Sequence, residues 1–117
     1  MNERREHARF ARPLDGRYRG QSGASPCRVT DISWGGCFVQ TMSTPMRDEH
    51  TVVIIPIDET RIEIGGRVQY VERGMGFAVK FDRLTTAQID ALKPLLGDPP
   101  PTVWPAGPVA AQSIGKT

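Results

Sequence analysis

The alternation in the middle third of the chain limits the folds open to it. Arg61 to Val71 sets Ile62, Ile64, Val68 and Tyr70 on one side and Arg61, Glu63, Arg67 and Gln69 on the other. That is the period of a strand with one wet face. Before it, Thr51-Val52-Val53-Ile54-Ile55-Pro56-Ile57 is the most β-prone run in the chain. It is apolar on both faces, which predicts cover on both. Pro56 lacks an N–H and is expected near a strand end or an edge. Asp58-Glu59-Thr60 turns the chain between the two runs. Gly65-Gly66 permits the sharp bend of a barrel corner. After the turn Glu72-Arg73-Gly74, Met75, Phe77, Val79 and Phe81 form a last alternating strand, with Gly76, Ala78 and Lys80 opposite.

The flanking segments supply the remaining elements. Leu14 to Arg19 reads as a weak first strand with Gly16 as a bulge, and Gln21 to Pro26 reads as a loop by composition. Cys27 to Ile32 and Gly36 to Thr41 read as two strands joined by a corner, and Met42 to His50 as a connection. From Leu84 to Leu96 the period becomes helical. Thr85 or Thr86 can cap this helix, with Leu84 stapled onto it. Ile89, Leu92 and Leu96 form its apolar stripe, and Pro94 is expected to end or kink it. About six short strands and one closing helix predict a mostly β fold, a small antiparallel barrel whose opening the helix stripe plugs. Residues 1–12 lack any period and read as a mobile basic arm of a domain spanning residues 1–97. Residues 98–117 hold five prolines and read as a disordered Pro-rich tail.

A chain of 117 residues suffices for one domain with one core. Its net charge of +2 is too small to specify nucleic acid by itself, but Arg4 to Arg19 holds six arginines against Glu6 and Asp15. Such an arm suits an anionic ligand, a nucleic acid or an acidic partner surface. No apolar run approaches a membrane span, and Met1 to Arg12 lacks the apolar core of a signal peptide. A cytoplasmic location with reduced cysteines is therefore expected. Folding about Ser33 to Gly36 sets Cys27 near Met42, which disfavours a bond to Cys37. His7, His50, Cys27 and Cys37 match no compact zinc spacing. No nucleophile, base and orienting group can be assembled, so neither enzyme activity nor a cofactor is expected.

The corner itself is Asp31-Ile32-Ser33-Trp34-Gly35-Gly36. Asp and Ser favour turns through side-chain bonds to nearby backbone, and Gly permits close approach. These six residues alone fit a plain hairpin corner as well as a binding corner. Upstream, Arg5 and Arg9 make an Arg-x-x-x-Arg spacing, followed after a strand-sized interval by the Asp-x-Ser-x-x-Gly of Asp31, Ser33 and Gly36. The pair, in this order, resembles the PilZ domain, the bacterial receptor module for cyclic di-GMP, over roughly Arg4 to Leu96.

The resemblance implies a six-stranded barrel with a terminal helix, and a role for each motif residue. Arg5 and Arg9 would clamp phosphates and guanine, Asp31 would accept from a guanine, and Ser33 would bond a base or phosphate. Gly36 would let the backbone approach, Gly35 adds freedom there, and Arg4 adds charge beside the motif. The chemistry suits the ligand. An arginine fork matches phosphate oxygens and the guanine O6/N7 edge, and a carboxylate matches the guanine N1–H and N2–H donors. Trp34 stays open between a stacking platform facing the ligand and an exposed turn residue. The implied function is a stand-alone cyclic di-GMP receptor that signals to an effector protein through its arm. Two alternatives stand beside it. One is a protein-interaction adaptor of the same fold without nucleotide binding. The other is a nucleic-acid-binding module, which lacks a recognisable aromatic stacking face in the sequence.

Overall fold

Alternation decides which side of each strand faces inward, and the inward sets close on one another. The computed structural model describes residues 12–21, 23–101 and 103. Its elements are β1 (Leu14–Gly20), β2 (Gly23–Thr30), β3 (Gly36–Gln40), β4 (His50–Ile57), β5 (Thr60–Glu72), β6 (Gly76–Phe81) and α1 (Thr86–Leu96). The strands form a closed barrel in the order β1-β2-β3-β6-β5-β4, antiparallel at every step. Closure leaves no free sheet edge. Val29, Val39, Val53, Ile55, Ile64, Val68 and Phe77 fill the interior, and Tyr18 meets Phe77 edge-on with ring centroids 5.3 Å apart.

β5 is long because it serves two neighbours. Residues 60–67 pair with β4, and residues 66–72 pair with β6. The exchange falls on the glycine pair expected to bend the chain. A Cβ on Gly66 would stand 2.5 Å from the Lys80 carbonyl oxygen, so β6 can close in only on a glycine. Pro56 lies opposite Arg61 at the turn, beyond Ile54, where the pairing of β4 with β1 stops.

The helix is set by its cap. The Thr85 hydroxyl accepts from the Gln88 N–H at 3.1 Å, and the Gln88 side chain accepts from the Thr85 N–H at 2.9 Å. Gln88 Nε2 also donates to the Glu63 carbonyl at 2.8 Å, tying α1 to β5. Leu84, Ile89, Leu92 and Leu96 join the same buried cluster as the barrel interior. Pro94 does not end the helix where it stands. It lies in the last turn, and α1 runs on to Leu96, where the Gly97 N–H donates to the Lys93 carbonyl at 2.8 Å. Beyond the helix, Val103 is partly buried against the core.

Several local expectations need correction. The Gly-Ser-Pro composition of residues 23–26 suggested a loop, yet it starts β2, paired with β1 from Gly20↔Gly23 onward. Pro26 is tolerated there because β2 pairs with β3 only from Arg28. Gly16 is not a bulge. It sits in unbroken register opposite Cys27, where a Cβ would stand 2.5 Å from the Ile54 carbonyl oxygen. Val29 faces Val39, so Cys27 is set toward Thr41, one residue from the Met42 expected. Met75 is exposed in the β5–β6 turn rather than aligned with the core face. The second face of β4 is only half-buried among the described residues, where Val52 and Ile54 neither belong to the core nor pack against it.

Both cysteines are free thiols. Burial pushes the Cys27 thiol up to about 11, and the Arg17 guanidinium offsets part of that. Burial raises the Cys37 thiol as well, with the charge of Cys27 adding to the effect. Both are therefore protonated and weakly nucleophilic at neutral pH.

Candidate functional site

β2 ends at Thr30, and the chain then turns through Asp31, whose φ of 51° is left-handed. Aspartate is one of the few non-glycine residues that adopt this conformation readily. The buried Thr30 hydroxyl donates to Asp31 Oδ2 at 3.2 Å and so orients the carboxylate. Ser33 closes the corner. Its N–H donates to the Gly36 carbonyl at 2.8 Å, its hydroxyl donates to the same oxygen at 3.3 Å, and the hydroxyl accepts from the Gly35 N–H at 3.3 Å.

Gly36 begins β3 opposite Lys80 of β6. A Cβ there would lie 2.1 Å from the Val79 carbonyl oxygen, so the residue type is demanded by the neighbouring strand. Gly35 has open space around it, and its carbonyl accepts from the Phe81 N–H at 2.8 Å.

Trp34 is neither of the things expected of it. It is 5% exposed and part of the core, and its indole N–H has no hydrogen-bond partner among the described residues. A loop position says nothing about which way a large ring turns. Here the corner points Trp34 inward and leaves Asp31, Ser33, Gly35 and Gly36 around an open pocket of about 520 Å³.

The other wall of this pocket comes from an irregularity that alternation cannot reveal. Val68 pairs with Val79, but Tyr70 pairs with Ala78, so Gln69 is an extra residue on β5. This β-bulge reverses the side-chain phase. Tyr70 was expected on the core face with Ile62, Ile64 and Val68. Instead it is 49% exposed and lines the pocket with Gln69. Phe38 of β3 also pairs with Ala78. Phe38 and Tyr70 therefore flank a small alanine across two strand spacings, about 9–10 Å. Both aromatic side chains line the pocket, and Lys80 stands beside them. This is the aromatic face that the sequence did not show. The only available signal was that Phe38 is apolar between Cys37 and Val39, at a position the barrel turns outward.

Arg4, Arg5 and Arg9 lie outside the described residues. The fold does fix where their segment departs. Leu14, the first residue of β1, pairs with Val29, two residues before Asp31. The arm thus leaves the barrel at the corner's end. Arg9 is five residues from Leu14, within roughly 17 Å of chain. Among the described residues no group of three His, Cys, Asp or Glu side chains could hold a metal ion, and no helix is long and apolar enough to cross a membrane.

Comparison with known families settles the lineage of this arrangement. The family described as PilZ domain matches residues 3–98. The chain belongs to the PilZ family. Among solved structures, it is similar to the PilZ domain of CeSA from a cellulose-synthesizing bacterium, with a TM-score of 0.60 and 12% identity. The match covers 74% of this chain and 93% of that one. At this identity the likeness establishes a shared fold. No curated protein matches the chain. The PilZ family is one of cyclic di-GMP-binding receptor and adaptor modules.

Proposed function

We propose that this PilZ domain is a cyclic di-GMP receptor that passes the level of the second messenger to an effector protein through ordering of its N-terminal arm. One observation carries the reading. A single pocket gathers the Asp31–Gly36 corner, a pair of partly exposed aromatic side chains and a lysine, at the end of the barrel from which the arginine-bearing arm departs. Each component has a counterpart in the ligand. The Asp31 carboxylate suits the N1–H and N2–H donors of a guanine. The Phe38–Ala78–Tyr70 row suits a base face, since stacking on aromatic rings accepts a flat heterocycle. Lys80, with Arg4, Arg5 and Arg9, suits the two phosphates. A ligand that contacts the arm only in its docked state shifts the arm toward that state, which is what a relay to an effector requires.

Calorimetry with cyclic di-GMP and with GMP tests the reading. The cyclic dinucleotide is expected to bind at least tenfold more tightly, because GMP cannot occupy both the corner and the arm. Equal affinities would rule out a dedicated cyclic dinucleotide site. Single-stranded DNA that displaces cyclic di-GMP at similar concentration would favour the nucleic-acid reading, for which the aromatic row is also suited.

Tyr70→Ala should weaken cyclic di-GMP binding by roughly tenfold to hundredfold, the scale of one base–aromatic stack. Tyr70→Phe should retain nearly full affinity, since the ring carries the contact. Loss in both variants would assign the effect to the hydroxyl instead. Tyr70 is half exposed on a bulge, so neither change should lower the melting temperature appreciably.

A further inference from the structure

We infer that the outer face of β4 is a docking site for an acidic segment of a partner protein anchored by an apolar side chain. The inference starts from the run that alternation left unexplained. Residues 51–57 are apolar on both faces, the pattern of a strand covered twice. The barrel covers one face only. Thr51, Val53, Ile55 and Ile57 are buried, while Val52, Ile54 and Pro56 point outward and remain partly exposed.

The surroundings of that outward row define what fits it. At the Val52 end, Arg19 of β1 reaches over β4 to Glu63 of β5, with Nη2 to Oε1 at 3.2 Å. At the other end, Ile54 and Pro56 floor a recess of about 200 Å³. Gly16 lets β1 close on β4 beside that recess, since a Cβ there would stand 2.5 Å from the Ile54 carbonyl oxygen. Arg17 and Arg61 stand on the rim and have no ion-pair partner among the described residues. Asp15 is also on the rim, but Arg28 Nε lies 3.5 Å from its carboxylate. The site is thus a small apolar recess under two unpaired guanidiniums. It takes one or two apolar side chains with carboxylates beside them.

Other occupants fit less well. Residues 104–117 contain no Asp or Glu, and residues 1–11 carry more arginine than glutamate. Neither end of this chain complements the rim. A second copy placed face to face would set arginine against arginine. A bilayer is entered by protruding apolar side chains, whereas this floor is recessed. The ring order sets β1 and β4 across the barrel from β6 and β3, so a docked partner leaves the Asp31 pocket open. The protein then has a ligand face and a partner face, with β1, the strand that follows the arm, belonging to the second.

Fluorescence anisotropy on the full chain, without nucleotide, tests this separately from cyclic di-GMP binding. The probe is a labelled peptide with a leucine pair between runs of glutamate. It should bind in a salt-dependent manner, and Arg17→Glu/Arg61→Glu should weaken it at least tenfold. Ile54→Ser should also weaken it severalfold, and this outward-facing change serves if the double variant does not fold. Peptides with lysine for glutamate, or serine for leucine, should bind at least tenfold more weakly. No binding of the probe, equal binding by the charge-reversed protein, or equal binding of either control peptide would overturn the proposal. So would single-stranded DNA or phosphatidylserine vesicles engaging the protein through Arg17 and Arg61 while the peptide does not.

Discussion

Gly36→Ala is expected to cost about 1–3 kcal/mol of stability, the range for forcing extra volume into a packed site. Gly35→Ala is expected to stay within about 0.5 kcal/mol. The two glycines are adjacent, yet their surroundings differ completely. A Cβ on Gly36 would meet the Val79 carbonyl oxygen at 2.1 Å, the Val79 carbonyl carbon at 3.1 Å and Lys80 Cα at 3.3 Å. All three are backbone atoms, so no side chain can swing aside. Relief requires β3 and β6 to separate at the point where the ladder begins. That movement would also strain the Ser33–Gly36 turn and the bond from Phe81 N–H to the Gly35 carbonyl at 2.8 Å. A Cβ on Gly35 would meet nothing within 4 Å. Thermal melts followed by circular dichroism should show a drop of roughly 5–15 °C for Gly36→Ala and little change for Gly35→Ala. Similar melting temperatures for the two would contradict the close β3–β6 approach. Loss of cyclic di-GMP binding in Gly36→Ala then reports a displaced corner, whereas loss in Gly35→Ala reports a contact at the pocket wall.

The contrast shows what the sequence holds and what it withholds. The strands of residues 51–81 and the helix stripe were legible because burial repeats with the period of the element. The Gly65-Gly66 pair was legible as a special point of β5, and the strand changes partner there, with a Cβ on Gly66 blocked by the Lys80 carbonyl oxygen. Gly36 was placed at the site for its tolerance of a close approach, and a close approach is there, made by β6. The bulge at Gln69 could not be read. One inserted residue leaves no mark on composition, yet it moves Tyr70 from the core to the pocket. Trp34 could not be read either, since its direction depends on the left-handed turn at Asp31. β2 began in a Gly-Ser-Pro stretch because pairing with β1 outweighed local preference. Local rules thus gave the elements. The pocket's second wall and the half-exposed outer face of β4 depend on long-range register.

Arg9→Lys is expected to raise the dissociation constant for cyclic di-GMP roughly tenfold to hundredfold, the equivalent of about 1–3 kcal/mol. The reason lies in the charge of the pocket. Among the described residues that line it, Asp31 is the one acidic and Lys80 the one basic side chain, so their formal charges cancel. A ligand with two phosphates therefore needs cations from elsewhere. Leu14 pairs beside the corner, and the five residues of chain from it to Arg9 are long enough to span to the pocket. If Arg9 supplied only positive potential, lysine would serve nearly as well. A clamp on phosphate oxygens or a guanine edge needs the planar fork, and an ammonium is a point charge in the wrong geometry. Arg47→Lys is the control, because Arg47 sits in the β3–β4 connection, away from the corner. Calorimetry should show a large loss for Arg9→Lys and almost none for Arg47→Lys, with equal melting temperatures. The salt dependence of binding should be nearly the same in both, since each variant keeps its charge. Equal small losses would make the arm a diffuse cation, and the acidic-partner and nucleic-acid readings would then move ahead of the clamp.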